Sequence, residues 1–145
     1  LLEKKSWTAS ASVPDGVFIF NRTPFDVSAA NAIDCDHWNG WRDMTTTNQY
    51  AGQWFQVDMK QPQTFYKIVL DNTWALWDSP TTYAVTVSND GTSWGEPIAT
   101  GSGELGMTPI TFPVQTARYI RITQTGTNAI YRWSIYELDV YREKQ

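Results

Sequence analysis

The stretch Tyr83-Ala84-Val85-Thr86-Val87-Ser88-Asn89-Asp90-Gly91-Thr92-Ser93-Trp94 decides the fold class. Tyr83, Val85 and Val87 fall on one side of an extended chain, and Ala84, Thr86 and Ser88 on the other. That period is two, not 3.6. Asn89-Asp90-Gly91 follows at once and supplies turn chemistry. The alternation recurs outward in both directions. Phe55, Val57 and Met59 share a face, and Ile110, Phe112 and Val114 alternate with Thr111 and Pro113. Residues 118–123 and 134–141 alternate as well, while residues 65–70 are more continuously apolar and read as a central strand. Only residues 27–33 have the make-up of a helical turn. Residues 14–26 show no clear period and read as a structured loop. Many short strands joined by turns predict an all-β sandwich.

A length of 145 residues with no repeat or linker predicts a single domain over 1–145. Hydrophobic residues make up 41%, enough for a packed core. The net charge is −4, with only 11 Lys+Arg spread along the chain, which speaks against nucleic acid as a partner. No apolar run nears the roughly 20 residues of a membrane span. Leu1-Leu2-Glu3-Lys4-Lys5 is too short and polar for a signal peptide, so an excised domain or a mature chain is expected. Cys35 has no partner for an internal disulfide, and Cys35-x-His37 lacks the second pair a zinc site needs. With one His, and no nucleophile elbow or phosphate loop, a binding module is expected rather than an enzyme. A glycosidase using carboxylates alone stays formally open, since the chain has 15 Asp+Glu.

Eight Trp set this chain apart, because several of them lie in polar connections. His37-Trp38-Asn39-Gly40-Trp41-Arg42-Asp43, Asn72-Thr73-Trp74-Ala75-Leu76-Trp77-Asp78 and Asn128-Ala129-Ile130-Tyr131-Arg132-Trp133 mix flat rings with Asn, Asp and Arg. The C–H face of a pyranose packs on such rings, and the polar side chains reach its hydroxyls.

Four landmarks occur in order: Ala32-Ile33-Asp34-Cys35-Asp36 followed by Trp41; Gly52 to Met59; Tyr83 to Trp94; and Ala117 to Ile122 leading to Trp133-Ser134-Ile135-Tyr136-Glu137-Leu138. From about Trp7 to Tyr141 the chain resembles the discoidin, or coagulation factor 5/8 type C, superfamily. Within it, the chain looks most like the bacterial family 32 carbohydrate-binding modules. The resemblance implies a discoidin-like jelly roll. It also implies a non-catalytic role, in which loops at one end hold a polysaccharide for an appended glycoside hydrolase. A secreted or cell-surface location and a monomer go with it. Cys35 stands where most members have Gly, and Asn39 where Thr is usual. Phospholipid-binding members generally carry a terminal Cys pair, absent here, so membrane insertion is not expected.

The resemblance also implies a structural Ca²⁺. Asp34 and Glu137 would supply carboxylates, Asn31, Asp36 and Tyr136 backbone carbonyls, and Asn39 its amide oxygen. Oxygen donors suit such a hard cation. The plainer reading is that Asp34 and Asp36 cap a loop. By the same resemblance Trp41 is the buried core Trp, and the strand-flanking Trp7, Trp54, Trp94 and Trp133 read as structural. Trp7 is expected against the C-terminal strand.

The carbohydrate-binding set is then Arg42, Asn72, Trp74, Trp77, Asp78, Tyr131 and Arg132. Trp74 or Trp77 would be the stacking platform and Tyr131 a second. Arg42, Asp78 and Arg132 would bond hydroxyls, with Asn72 assisting. Trp77 could instead plug the loop onto the sandwich, and Arg132 could pair with a carboxylate. Asp15 and Phe18 could join at the rim, while His37 and Trp38 read as rim to the metal turn. A glucan or glucosamine-type polymer is the expected ligand. The rival reading is an adhesion module that binds a protein or cell-surface partner through the same loops.

Overall fold

Alternating apolar residues build two long antiparallel strands that carry the rest of the chain. The computed structural model describes residues 1–142, and the strands are β1 (Thr8–Ala11), β2 (Val17–Phe20), β3 (Thr23–Asp26), β4 (Trp41–Arg42), β5 (Trp54–Asp71), β6 (Thr82–Ser88), β7 (Ala99–Ser102), β8 (Met107–Gln124), β9 (Ser134–Ile135) and β10 (Glu137–Tyr141). The main sheet runs β1-β5-β8-β6-β7, with β10 also on β5. The first half of β5 pairs β1 and the end of β8; its second half pairs β10 and the start of β8. Bending the two long strands gives the sandwich its layers, as the all-β reading requires.

The bends are β-bulges. Register shifts fall between Asp58 and Gln63, opposite Arg118, and between Phe65 and Lys67, opposite the stretch of β8 that holds Pro113. Pro has no N–H for the ladder, and a bulge accommodates it. The second bulge also explains the unbroken apolar run at residues 65–70. Phe65 is buried, but beyond the shift the inward face passes to Ile68 and Leu70. The same irregularity leaves Val114 exposed although Ile110 and Phe112 are buried. Sequence periods that look like four strands are therefore halves of two 18-residue strands. Residues 134–141 are likewise two strands, interrupted where the Tyr136 N–H donates to the Asp71 carbonyl.

Residues 14–26 are not a structured loop, because 17–26 form the β2–β3 hairpin. Asn21 (φ 49°) and Arg22 (φ 64°) both take left-handed backbone at its tip, the geometry of a two-residue primed turn. An Asn-Arg tip lacks the usual glycine, and that hid the hairpin. Residues 29–33 do form a helical turn, of the 3-10 kind, and a second one spans Leu76–Asp78. Trp41 meets Trp133 edge to face at 5.1 Å and Phe55 at 5.1 Å in the centre of the core. Trp54 and Trp94 are half-buried and sandwich the Arg121 guanidinium at 4.3 and 4.2 Å. Trp7 is buried in the core just ahead of β1, and the Leu2 N–H donates to the Val140 carbonyl of the C-terminal strand. No helix among the described residues is long and apolar enough to cross a membrane.

Candidate functional site

Three loops converge where β5 ends, and one buried side chain ties them together. Gln49 Nε2 donates to the Ser79 carbonyl at 3.0 Å and the Arg132 carbonyl at 3.3 Å. Its Oε1 accepts from the Thr81 N–H at 2.9 Å and Gln124 Nε2 at 2.7 Å. A fully satisfied buried amide fixes backbone that would otherwise wander. Sequence reading missed Gln49, since a lone Gln in a polar stretch carries no motif. Asp43 is also internal, accepting from Thr45 and from Gln53 Nε2, so it is not an acidic group of the loop surface.

On this frame Trp77, 57% exposed, stacks on Tyr131 with centroids 5.6 Å apart and planes 17° apart. Trp77 is thus no buried plug. Asp78 Oδ2 accepts from Ser134 Oγ at 3.1 Å and lies 3.8 Å from Arg42 Nε. Arg42 Nη2 donates to the Tyr136 hydroxyl at 3.1 Å. Burial pushes the Asp78 carboxyl above its ordinary value, and the nearby Arg42 charge only partly offsets this. Arg132 Nη1 lies 3.0 Å from Met44 Sδ, and no carboxylate bridges it among the described residues. The arrangement brings Trp77, Tyr131, Arg42 and Asp78 together, with Arg132 at their edge.

Trp74 belongs to a separate stack. Its ring lies 4.4 Å from that of Trp38, at 24°, and both are exposed. Trp38 therefore forms an exposed aromatic stack of its own beside the turn at residues 34–40. Below it, His37 Nδ1 is 2.8 Å from Asp71 Oδ2. Burial raises the Asp71 carboxyl, but hydrogen bonds from Thr73 and His37 outweigh it and hold the group below its ordinary value. Asn72 has to leave the binding set. It is 0% exposed, and its Nδ2 donates to the Ser134 carbonyl at 2.7 Å. A side chain spent inside cannot meet a ligand, and it acts as a strut under the loop.

The turn at residues 34–40 packs on the β9–β10 junction. A Cβ on Gly40 would stand 2.5 Å from Tyr136 Cα and 2.7 Å from the Ile135 carbonyl oxygen. Asp34 accepts from the Asp36 N–H at 2.8 Å and from Asn39 Nδ2 at 3.1 Å, and Asp36 accepts from the Trp38 N–H at 3.0 Å. These bonds supply the loop-capping role. Asn31 Nδ2 donates to the Asp26 carbonyl at 2.8 Å. Among the described residues four side-chain oxygens stay buried without a partner: Asn72 Oδ1, Gln124 Oε1 and, at the turn and the β10 start, Asn39 Oδ1 and Glu137 Oε2. A hard cation would satisfy Asn39 Oδ1 and Glu137 Oε2, so the donor chemistry fits calcium. The described residues hold no cluster of three or more His, Cys, Asp or Glu, so amide and carbonyl oxygens would have to complete the shell. Lys4 Nζ already reaches Glu137 Oε1, and lies 2.9 Å from Asp139 Oδ1.

The F5/8 type C domain model matches residues 7–138. The chain belongs to that family. Among solved structures it is similar to chitosan-binding module 1 of a chitosanase/glucanase from Paenibacillus sp. IK-5, with 28% identity over 92% of this chain and 93% of that one, at a TM-score of 0.72. It is also similar to chitosan-binding module 2 of the same source in complex with chitotriose, with 21% identity over 92% and 95% and a TM-score of 0.71. A CBM32 module from Clostridium perfringens, in complex with GalNAc-β-1,3-galactose, shares the fold with 18% identity over 97% and 98% and a TM-score of 0.78. No curated protein sequence matches the chain.

As an F5/8 type C domain the chain has the discoidin-like β-sandwich expected of it. Cys35, at the position where Gly is usual, has φ 68°, a left-handed backbone that Gly adopts freely. The turn is therefore kept although its usual residue is gone.

Proposed function

We propose that this F5/8 type C domain is a non-catalytic carbohydrate-binding module. It would hold a glucosamine-type or glucan polymer for a glycoside hydrolase in the same chain, outside the cell, and act as a monomer. The observation that carries the reading is the exposed Trp77–Tyr131 stack beside the Arg42–Asp78 pair. The ring face takes the C–H face of a pyranose, while Arg42 donates to hydroxyls and Asp78 accepts from a hydroxyl or ammonium. Likeness to a chitosan-binding module at 28% identity supports the glucosamine end of that range. A shallow site of this kind binds in the millimolar to micromolar range, roughly −4 to −8 kcal/mol. Attachment to a catalytic domain raises the effective affinity by avidity.

The same proposal places a structural Ca²⁺ at Asp34, Asn39 and Glu137, with the Asn31, Asp36 and Tyr136 carbonyls completing the shell. The partnerless Asn39 Oδ1 and Glu137 Oε2 support it. The ion would bind the turn at residues 34–40 to the start of β10, away from any chemistry.

Affinity electrophoresis in chitosan and in neutral glucans tests the reading. Retardation by one polymer that Trp77→Ala abolishes, with the fold intact, is the expected result. No retardation by any polymer would overturn it.

A further inference from the structure

A second aromatic surface lies next to this site. The β2–β3 hairpin pairs Phe18 with Phe25, and the period of two puts Phe20 on the same face. Its three rings line a groove of about 640 Å³ together with Trp38, Arg42 and Tyr136. The volume lies in the range of roughly 300–1,000 Å³ typical of small-molecule pockets. Phe20, Phe25 and Trp38 are 58%, 49% and 74% exposed, and Trp74 stacks on Trp38. Folding has left these rings without a cover.

Arg42 joins the groove to the Trp77–Tyr131 platform. Its guanidinium sits over the Phe18 ring at 4.9 Å, while the same group bonds Tyr136 and faces Asp78. One cation is thus shared by two aromatic surfaces. Aromatic rings beside polar side chains suit a pyranose, which is apolar on its faces and polar at its rim. Asp26, whose carboxylate is exposed, also lines the groove and can accept from hydroxyls.

We propose that the hairpin groove is a second saccharide subsite, continuous with the first through Arg42. The module then binds an internal stretch of polysaccharide instead of a single terminal sugar. The first two units lie at Trp77 and Tyr131, and later units run between Phe18, Phe25 and Trp38. This rests on the carbohydrate reading above and adds chain length to it.

Calorimetric titration with the glucosamine dimer and hexamer tests it, on wild type, Phe18→Ala, Trp38→Ala and Trp77→Ala, each checked for an intact thermal transition. The hexamer should bind wild type about tenfold more tightly than the dimer, the gain expected of one more stacked ring with its hydrogen bonds. Phe18→Ala and Trp38→Ala should erase that advantage and leave dimer affinity unchanged, while Trp77→Ala weakens both ligands. Equal affinity for both lengths in wild type, or a hexamer advantage that survives Phe18→Ala and Trp38→Ala, overturns the subsite alone, whether the groove then takes lipid, protein or nothing. Failure of either ligand to bind wild type overturns the glucosamine reading and the subsite with it.

Discussion

Single residues of the loops divide sharply between those left exposed and those that hold the loops in place. Asn72 and Trp77 stand five positions apart in one polar stretch, yet one is buried and the other exposed. Asn72→Ala should lower stability by about 1–3 kcal/mol, because the Ser134 carbonyl loses its donor inside the protein. Trp77→Ala should leave the unfolding midpoint nearly unchanged while removing polymer retardation. Denaturant unfolding of both variants separates the two roles. Ring-bearing loops were legible from composition, but the side on which each Asn points was not. That depends on Ser134, 62 positions away in sequence.

Acid sensitivity also belongs to the residue scale. Asp58 accepts from Arg118 at 2.8 and 2.9 Å, and this pair holds its carboxyl well below the ordinary value of 3.8. A depressed folded pKa gives stability that is present above the unfolded value and lost as pH falls through the folded one. Thermal midpoints should therefore begin to fall near pH 3.8 and continue downward below it. In Asp58→Asn that part of the acid loss should disappear. Asp78 has the opposite shift, so it takes up its proton at a higher pH than an ordinary carboxyl. Any contribution it makes to holding an ammonium should fade first as the solution is acidified.

Among the elements, the β2–β3 hairpin and the β4–β9 ladder are the ones that shape the groove. Arg22 at φ 64° is a poor tenant for the second position of a primed turn. Arg22→Gly should relieve left-handed strain of about 1 kcal/mol. Slower hydrogen exchange at the hairpin amides would register it. Gly40→Ala should act in the opposite direction. The new Cβ would collide with the backbone of residues 135 and 136, at a cost of about 1–3 kcal/mol and with spreading of the Trp41–Ile135 pair. A lower unfolding midpoint checks it. Most strands were readable from their period of two. The hairpin was not, because Val17-Phe18-Ile19-Phe20 is apolar on both faces and its turn has no glycine. The bulges in β5 and β8 were hidden for a related reason, since a phase shift looks like a strand boundary in a linear pattern.

At the level of the whole molecule, the first and last segments are fastened together by charge. Lys4 is buried against Glu137 and Asp139, and the Leu2 N–H reaches Val140. Removing one member of a buried pair is severe, so Lys4→Met should cost about 3–5 kcal/mol. If Glu137 also binds Ca²⁺, that variant should depend on calcium more than wild type does. An ion at 100 times its dissociation constant stabilises by about 2.7 kcal/mol. Thermal scans with calcium and with chelator read both effects, and no response to chelator in either protein would remove the ion from the proposal. The order of the family landmarks was visible in the chain, but Lys4 was not. Its partner lies 133 positions away, and nothing local marks it.

The Trp38–Trp74 stack gives the molecule an optical property of its own. Two indoles held 4.4 Å apart have nearly equal transition energies, so their excited states mix. Circular dichroism should then show a paired positive and negative band that neither ring has alone. A guest that tilts Trp38 would alter the couplet without any label, so occupancy of the groove can be followed in the unmodified protein.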